Sequence, residues 1–143
     1  MTIQIANLQH LAPIHRKTLR AICKRLLREH GKTADLSLCY VDNDTIRQLN
    51  AQYLERDEIT DVLAFPLGEG PGPEEDQLLG EIVVSAEKAV AEAAGRRIPV
   101  DAEIALYTIH GALHLLGYDD RTPAQKREMR RRERKALTEA GLL

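Results

Sequence analysis

Tryptophan is absent from the 143-residue chain, and phenylalanine occurs once. With only four tyrosines besides, there are too few rings for a broad platform on which nucleic-acid bases could stack. Cysteine is scarce as well. Cys23 and Cys39 both fall in apolar patterns, which reads as buried free thiols rather than a disulfide or a metal-binding pair. No apolar run approaches the roughly 20 residues of a membrane span. Met1 to His10 lacks the basic start and long apolar core of a secretory signal. A soluble, cytoplasmic protein is expected. Neither charge dominates: 20 Lys and Arg stand against 22 Asp and Glu, a formal net charge of -2. That excludes a globally basic nucleic-acid binder and leaves local patches open.

What is present fits one domain, residues 1–143, able to bury roughly 70% of its unfolded surface without staples. Ile3 and Ile5 alternate within a short strand from Thr2 to Leu8. Pro13 suits the first turn of a helix whose stripe is Leu19, Ile22, Cys23, Leu26 and Leu27, with Gly31 as its stop. A second strand runs from Leu36 to Val41. Asp42 or Asn43 caps the next helix, which carries Ile46, Leu49 and Tyr53 on one face. Strands are expected over Thr60 to Leu67 and Leu78 to Ser85. The Gly-, Pro- and Glu-rich stretch from Gly68 to Asp76 joins them as a long, mobile hairpin loop. Ser85 caps an alanine-rich helix that Gly95 closes, and Asp101 to Leu116 forms another. Thr122-Pro123-Ala124-Gln125 combines a capping box with Pro at the first helical position, opening a last helix to Ala140. The order β-α-β-α-β-β-α-α-α predicts an α/β to α+β fold: a small mixed four-stranded sheet covered by about five helices.

The chemistry concentrates near the end of the long helix from Asp101. His110 and His114 are four apart, so they share one helical face. An imidazole pair at this spacing can grip one ion from a single rigid element. Gly117 can turn the chain back, which lets Asp119 or Asp120 supply a third, oxygen ligand. Read with Asp120, the pattern is H-x-x-x-H-x-x-G-x-x-D, the ligand spacing of the metzincin zinc motif with Asp as third ligand. Leu106, Ile109, Leu113 and Leu116 form the helix's apolar stripe. Glu103, Tyr107, His110 and His114 form the adjacent one, at the edge of the core. Gly111 follows the first histidine, where metallopeptidases of this pattern carry a Glu base. That argues against a peptidase, and a small residue there permits close packing or close substrate approach.

His110 to Tyr118 (HGALHLLGY) resembles the signature of the YbeY family of metal-dependent endoribonucleases. Two further blocks resemble the family in order and spacing: Leu49-Asn50-Ala51-Gln52-Tyr53 with Asp57 and Thr60 to Pro66, then Leu79 to Ser85. The resemblance spans roughly Leu36 to Leu137. It implies one bound zinc held by His110, His114 and Asp120, with His114 counted among the catalytic residues. It further implies a single-strand-specific endoribonuclease of 16S rRNA 3′-end maturation and small-subunit quality control. Its partners would be single-stranded rRNA and the ribosomal small subunit, not DNA or a membrane. The chain departs from the family at three positions. Asp120 stands where a third histidine is usual, which reduces the ion's net charge. Leu54 stands where an Arg follows the Tyr of the first block, leaving Arg56 as the candidate to hold substrate phosphate. Ala64 replaces the usual Ser before the Phe. The departures at Asp120 and Leu54 favour, as a second reading, a metal-stabilised ribosome-assembly factor with little catalysis. A metallopeptidase is the third. Asn50, Asp57 and Asp61 are candidate cleft residues or ordinary helix and turn residues.

From Lys126 to Lys135, seven of ten residues are basic and two acidic. The expectation is a phosphate-binding patch for RNA carried by Arg130, Arg131 and Arg132, set against an ordinary solvated face with ion pairs at Glu128 and Glu133.

Overall fold

The structure, a computed structural model, describes residues 1–68, 71–74 and 77–143. Elements follow the expected order: β1 (Ile3–Asn7), α1 (Arg16–Glu29), β2 (Asp35–Val41), α2 (Asn43–Leu54), β3 (Val62–Pro66), β4 (Leu78–Ser85), α3 (Ala86–Arg96), α4 (Val100–Leu115) and α5 (Pro123–Glu139). The sheet order is β1-β2-β4-β3. β1, β2 and β4 run parallel, and β3 returns antiparallel along β4. The sheet is therefore mixed, and the fold is α+β as expected.

Alternation along the strands gives the sheet two faces. Leu36, Leu38 and Tyr40 of β2, with Ile82 and Val84 of β4, join the larger core beneath α1 and α4. Val41, Leu63 and Val83 point the other way and meet Ile46 of α2. Asp42 caps α2 by accepting the Thr45 N–H at 2.8 Å. Ser85 caps α3 through Lys88 N–H at 3.1 Å. The capping box opening α5 is present in both directions, Thr122 to Gln125 and back.

Several expectations are corrected. Pro13 does not start α1, which begins at Arg16. The preceding segment is organised by buried Gln9. Its Oε1 accepts from Leu11 and Ala12 N–H at 2.8 and 3.0 Å, and its Nε2 donates to Ala12 O at 2.9 Å. Gly95 does not close α3, which runs on until Arg97 turns left-handed at φ 58°. Ile98 N–H then bonds Ala93 O at 3.1 Å, and Pro99 follows. Cys39 is half-buried, whereas Cys23 is fully buried, which pushes its thiol pKa up to about 12; both are free. In the expected 68–76 loop, Glu69, Gly70, Glu75 and Asp76 lie outside the described residues. Residues 71–74 are exposed at the surface, with Glu74 accepting the Thr33 hydroxyl at 2.9 Å.

The largest correction concerns α4. It was expected to bury one stripe, but ten of its sixteen residues are buried, and Leu106 and Leu116 are only part-buried. The helix is central: β3 and β4 lie under it, and α1, α3 and α5 pack around it. It approaches the sheet closely because Gly111 has no side chain. A Cβ there would lie 2.7 Å from Ile82 Cγ2 and 3.1 Å from Val62 Cγ2. The glycine therefore serves packing, not substrate approach. Gly111→Ala should lower the urea midpoint of unfolding. Overpacking costs about 1–3 kcal/mol, which exceeds the roughly 1 kcal/mol helical gain of Ala over Gly. An unchanged or raised midpoint would contradict the close seat.

Candidate metal centre

His110 and His114 project from the last turn and a half of α4, and their rings meet edge to face at 4.7 Å between centroids. Gly117 adopts φ 101° and turns the chain, as its position predicted. The turn brings Asp120 back. His110 Nε2 and His114 Nε2 are 3.1 Å apart, and Asp120 Oδ2 is 3.4 Å from each. Three ligand atoms at about 2.0–2.1 Å from a tetrahedral zinc stand about 3.3–3.4 Å from one another. The three side chains therefore form a candidate metal-binding triad whose spacing fits such an ion. Asp119 is turned elsewhere: its Oδ1 accepts the Asp120 N–H at 2.9 Å, and its Oδ2 pairs with Arg121 at 3.3 Å.

Behind His110 stands Glu133 of α5, 8% exposed. His110 Nδ1–H donates to Glu133 Oε2 at 2.7 Å. A carboxylate only accepts, so in the neutral ring Nδ1 holds the proton and Nε2 presents a lone pair toward Asp120 and His114. Burial pulls the His110 pKa down, but the hydrogen bond and charge of Glu133, with Asp120 and Asp61, outweigh it and leave the pKa raised. Sequence reasoning gave Glu133 a surface ion pair; the structure corrects this. One signal was present. Met129, Glu133, Ala136 and Leu137 follow helical core spacing, and all four are buried.

The same line of α4 carries two more polar residues, as expected. Glu103 is fully buried, and both its carboxylate oxygens receive Arg96 Nη1, at 3.1 and 3.2 Å. Burial raises the Tyr107 pKa, and its hydrogen bond to Glu103 adds to the rise. The return turn is fixed from outside by Tyr118. Its hydroxyl meets His30 Nε2 at 2.8 Å, and the Arg132 guanidinium lies 4.6 Å from its ring centroid. Neither His30 nor Tyr118 was singled out as a support, because they are far apart in sequence.

The other candidates are dispersed. Asp61 closes the start of β3, its Oδ1 accepting the Val62 N–H at 2.8 Å, yet its charge reaches His110. Asp57 is exposed and 3.7 Å from Arg47. Asn50 is buried and donates to Glu58 O at 3.1 Å, tying down the loop after α2. Arg56 is exposed in that loop. A cleft of about 280 Å³ opens at His110, lined by Asp120, Lys126, Met129, Arg130 and Glu133. Arg56 is not among its lining residues. Of the three arginines expected to bind RNA, only Arg130 lines it. Arg131 and Arg132 are both held by Glu128, the closest contacts being 2.8 Å.

A family model described as Endoribonuclease YbeY matches residues 4–141. Similar curated proteins include the Endoribonuclease YbeY of Carboxydothermus hydrogenoformans, 37% identical over 142 residues that cover 97% of each chain. The protein of the same description from Desulforamulus reducens is 38% identical, with 99% of each chain covered. The solution structure of a Thermotoga maritima protein superposes with a TM-score of 0.64 at 28% identity, over 96% of this chain and 88% of that one.

Removing the Glu133 carboxylate should weaken metal binding without dismantling the triad. Glu133→Gln is expected to lower zinc affinity about 10- to 100-fold, measured by chelator competition. Asp120→Ala should lower it and Asp119→Ala should not; the reverse order would move the third ligand by one residue. The raised His110 pKa sets the pH dependence. In the metal-free protein its stabilising contribution is full below the ordinary histidine value near 6.5 and is lost as pH rises through the folded value. Metal competes with that proton, so affinity should rise across the same window.

Proposed function

We propose, for a chain that belongs to the YbeY endoribonuclease family, that residues 1–143 act as one zinc-dependent, single-strand-specific endoribonuclease domain. The observation that carries this reading is the convergence of His110, His114 and Asp120 within 3.4 Å, in a chain that matches the family along almost its whole length. The substrate would be ribosomal RNA, with a role in 16S rRNA 3′-end maturation and small-subunit quality control in the cytoplasm. Among the described residues, no helix is long and apolar enough to cross a membrane.

The two histidines and Asp120 would hold one ion from three directions, leaving its cleft side for substrate. When bound, zinc supplies charge to neutralise the phosphodiester oxygens and to activate a water. Glu133 keeps His110 in the tautomer that can serve as ligand. A side chain at position 111 would point at Ile82 and Val62, so no base can act from there, and the peptidase reading gains no support. Leu54, half exposed where the family resemblance expects Arg, favours the second reading of a metal-stabilised ribosome-assembly factor.

Turnover separates the two. The zinc-loaded protein should cleave single-stranded RNA, and His114→Ala should reduce cleavage to background. Metal-loaded protein that binds RNA without turnover would favour the assembly factor. Asp120→His should move the pH midpoint of cleavage downward, because a neutral ligand leaves more positive charge on the ion. An upward shift would contradict the assigned ligand role.

A further inference from the structure

α5 carries more positive charge than it uses. Of the seven cations between Lys126 and Lys135, Arg131 and Arg132 share the one carboxylate of Glu128. Lys135 lies 3.4 Å from Glu139 and 3.7 Å from Glu29. Glu133, the remaining carboxylate of the run, is turned inward to His110. Lys126, Arg127, Arg130 and Arg134 thus have no carboxylate partner among the described residues. Lys126 and Arg130 are the two of these that line the cleft at His110 and Asp120. They stand one helical turn apart, and Arg130 Nε is 3.4 Å from Lys126 O, a contact that leaves the rest of the guanidinium open.

We infer that Lys126 and Arg130 form a phosphodiester subsite beside the metal position, holding the backbone of single-stranded RNA. This rests on the endoribonuclease reading above. Two neutral imidazoles and one carboxylate leave a divalent ion with a single positive charge, so further cations in the same cleft raise its attraction for phosphate. An arginine presents a planar fork to phosphate oxygens and a lysine a mobile point charge. Arg131 and Arg132 are set aside because neither lines that cleft and both share the Glu128 carboxylate.

The test is the salt dependence of binding by the zinc-loaded full chain to a fluorescent single-stranded oligoribonucleotide. Each phosphate contact contributes about 0.7 to the slope of log affinity against log salt for single strands. The double variant Lys126→Gln/Arg130→Gln should keep its zinc and lose about 1.4 from that slope. Arg127→Gln/Arg134→Gln removes the same charge from the same helix outside the cleft and should leave the slope unchanged. The charge-conserving pair Lys126→Arg/Arg130→Lys should restore it. An unchanged slope in the first variant, or an equal loss in the second, overturns the subsite. Zinc-loaded wild-type protein that binds no single-stranded RNA would instead sink the endoribonuclease reading beneath it.

Discussion

The distance between α4 and the sheet governs everything built on that helix. At Gly111 the helix rests against Ile82 and Val62 with no room for a methyl group. At Gly80 the strand yields in turn: a Cβ there would lie 2.6 Å from Phe65 O and 2.8 Å from Leu115 Cδ2. One glycine on each partner brings helix and strand together. The Tyr40 hydroxyl adds a polar pin across the interface, 2.9 Å from Thr108 Oγ1, in a fully buried setting. A hydrogen bond in such surroundings is costly to leave unmade, so it fixes the helix along its axis as well as in depth. His110 and His114 thus project from a rigid base.

Electrostatically, the centre is built from opposed demands. Glu133 is buried where an unpaired carboxylate would be strongly disfavoured, and His110 is its partner. The same contact directs the ring's other nitrogen to the open side. On that side Asp120 is half exposed and can share its charge between an ion and solvent. The acidic inner wall and the basic outer lip belong to the same helix, α5, which presents Glu133 inward and Lys126 and Arg130 at the mouth. Positions 126, 130 and 133 are four and three apart, so helical periodicity sets all three on one side of α5, facing one cleft.

Much of this organisation was readable in the sequence where residue type and spacing act locally. Caps at Asp42, Ser85 and Thr122, the turn at Gly117 and the four-residue step between the histidines all fix geometry within a few residues. What escaped depends on contacts distant in sequence. The all-round burial of α4 follows from how many elements surround it, which no single-helix pattern encodes. Gln9 displaced the helix start expected at Pro13 by a network specific to its own loop. The charge run on α5 could not be sorted by composition, since pairing with Glu128 depends on rotamers and neighbours. Glu133 was misread because a carboxylate among arginines looks like their partner. Its place in the Met129, Ala136 and Leu137 stripe was the contrary signal.

The chain between α4 and α5 is short and held at both ends. Tyr118 N–H bonds Leu113 O at 3.0 Å, and the Gln125 side chain accepts the Arg121 and Thr122 N–H groups, each at 3.0 Å. One residue of extended chain advances about 3.3–3.6 Å, as far as the separation between the ligand atoms themselves. The turn therefore acts as a ruler. It decides which residue arrives at the histidines, while leaving open what that residue is. The position of the candidate ligand is a property of backbone length; its chemistry is a property of one side chain. An exchange of imidazole for carboxylate at position 120 would thus retune the candidate centre without a compensating change elsewhere, whereas inserting a single residue into the turn would change which residue reaches the histidines.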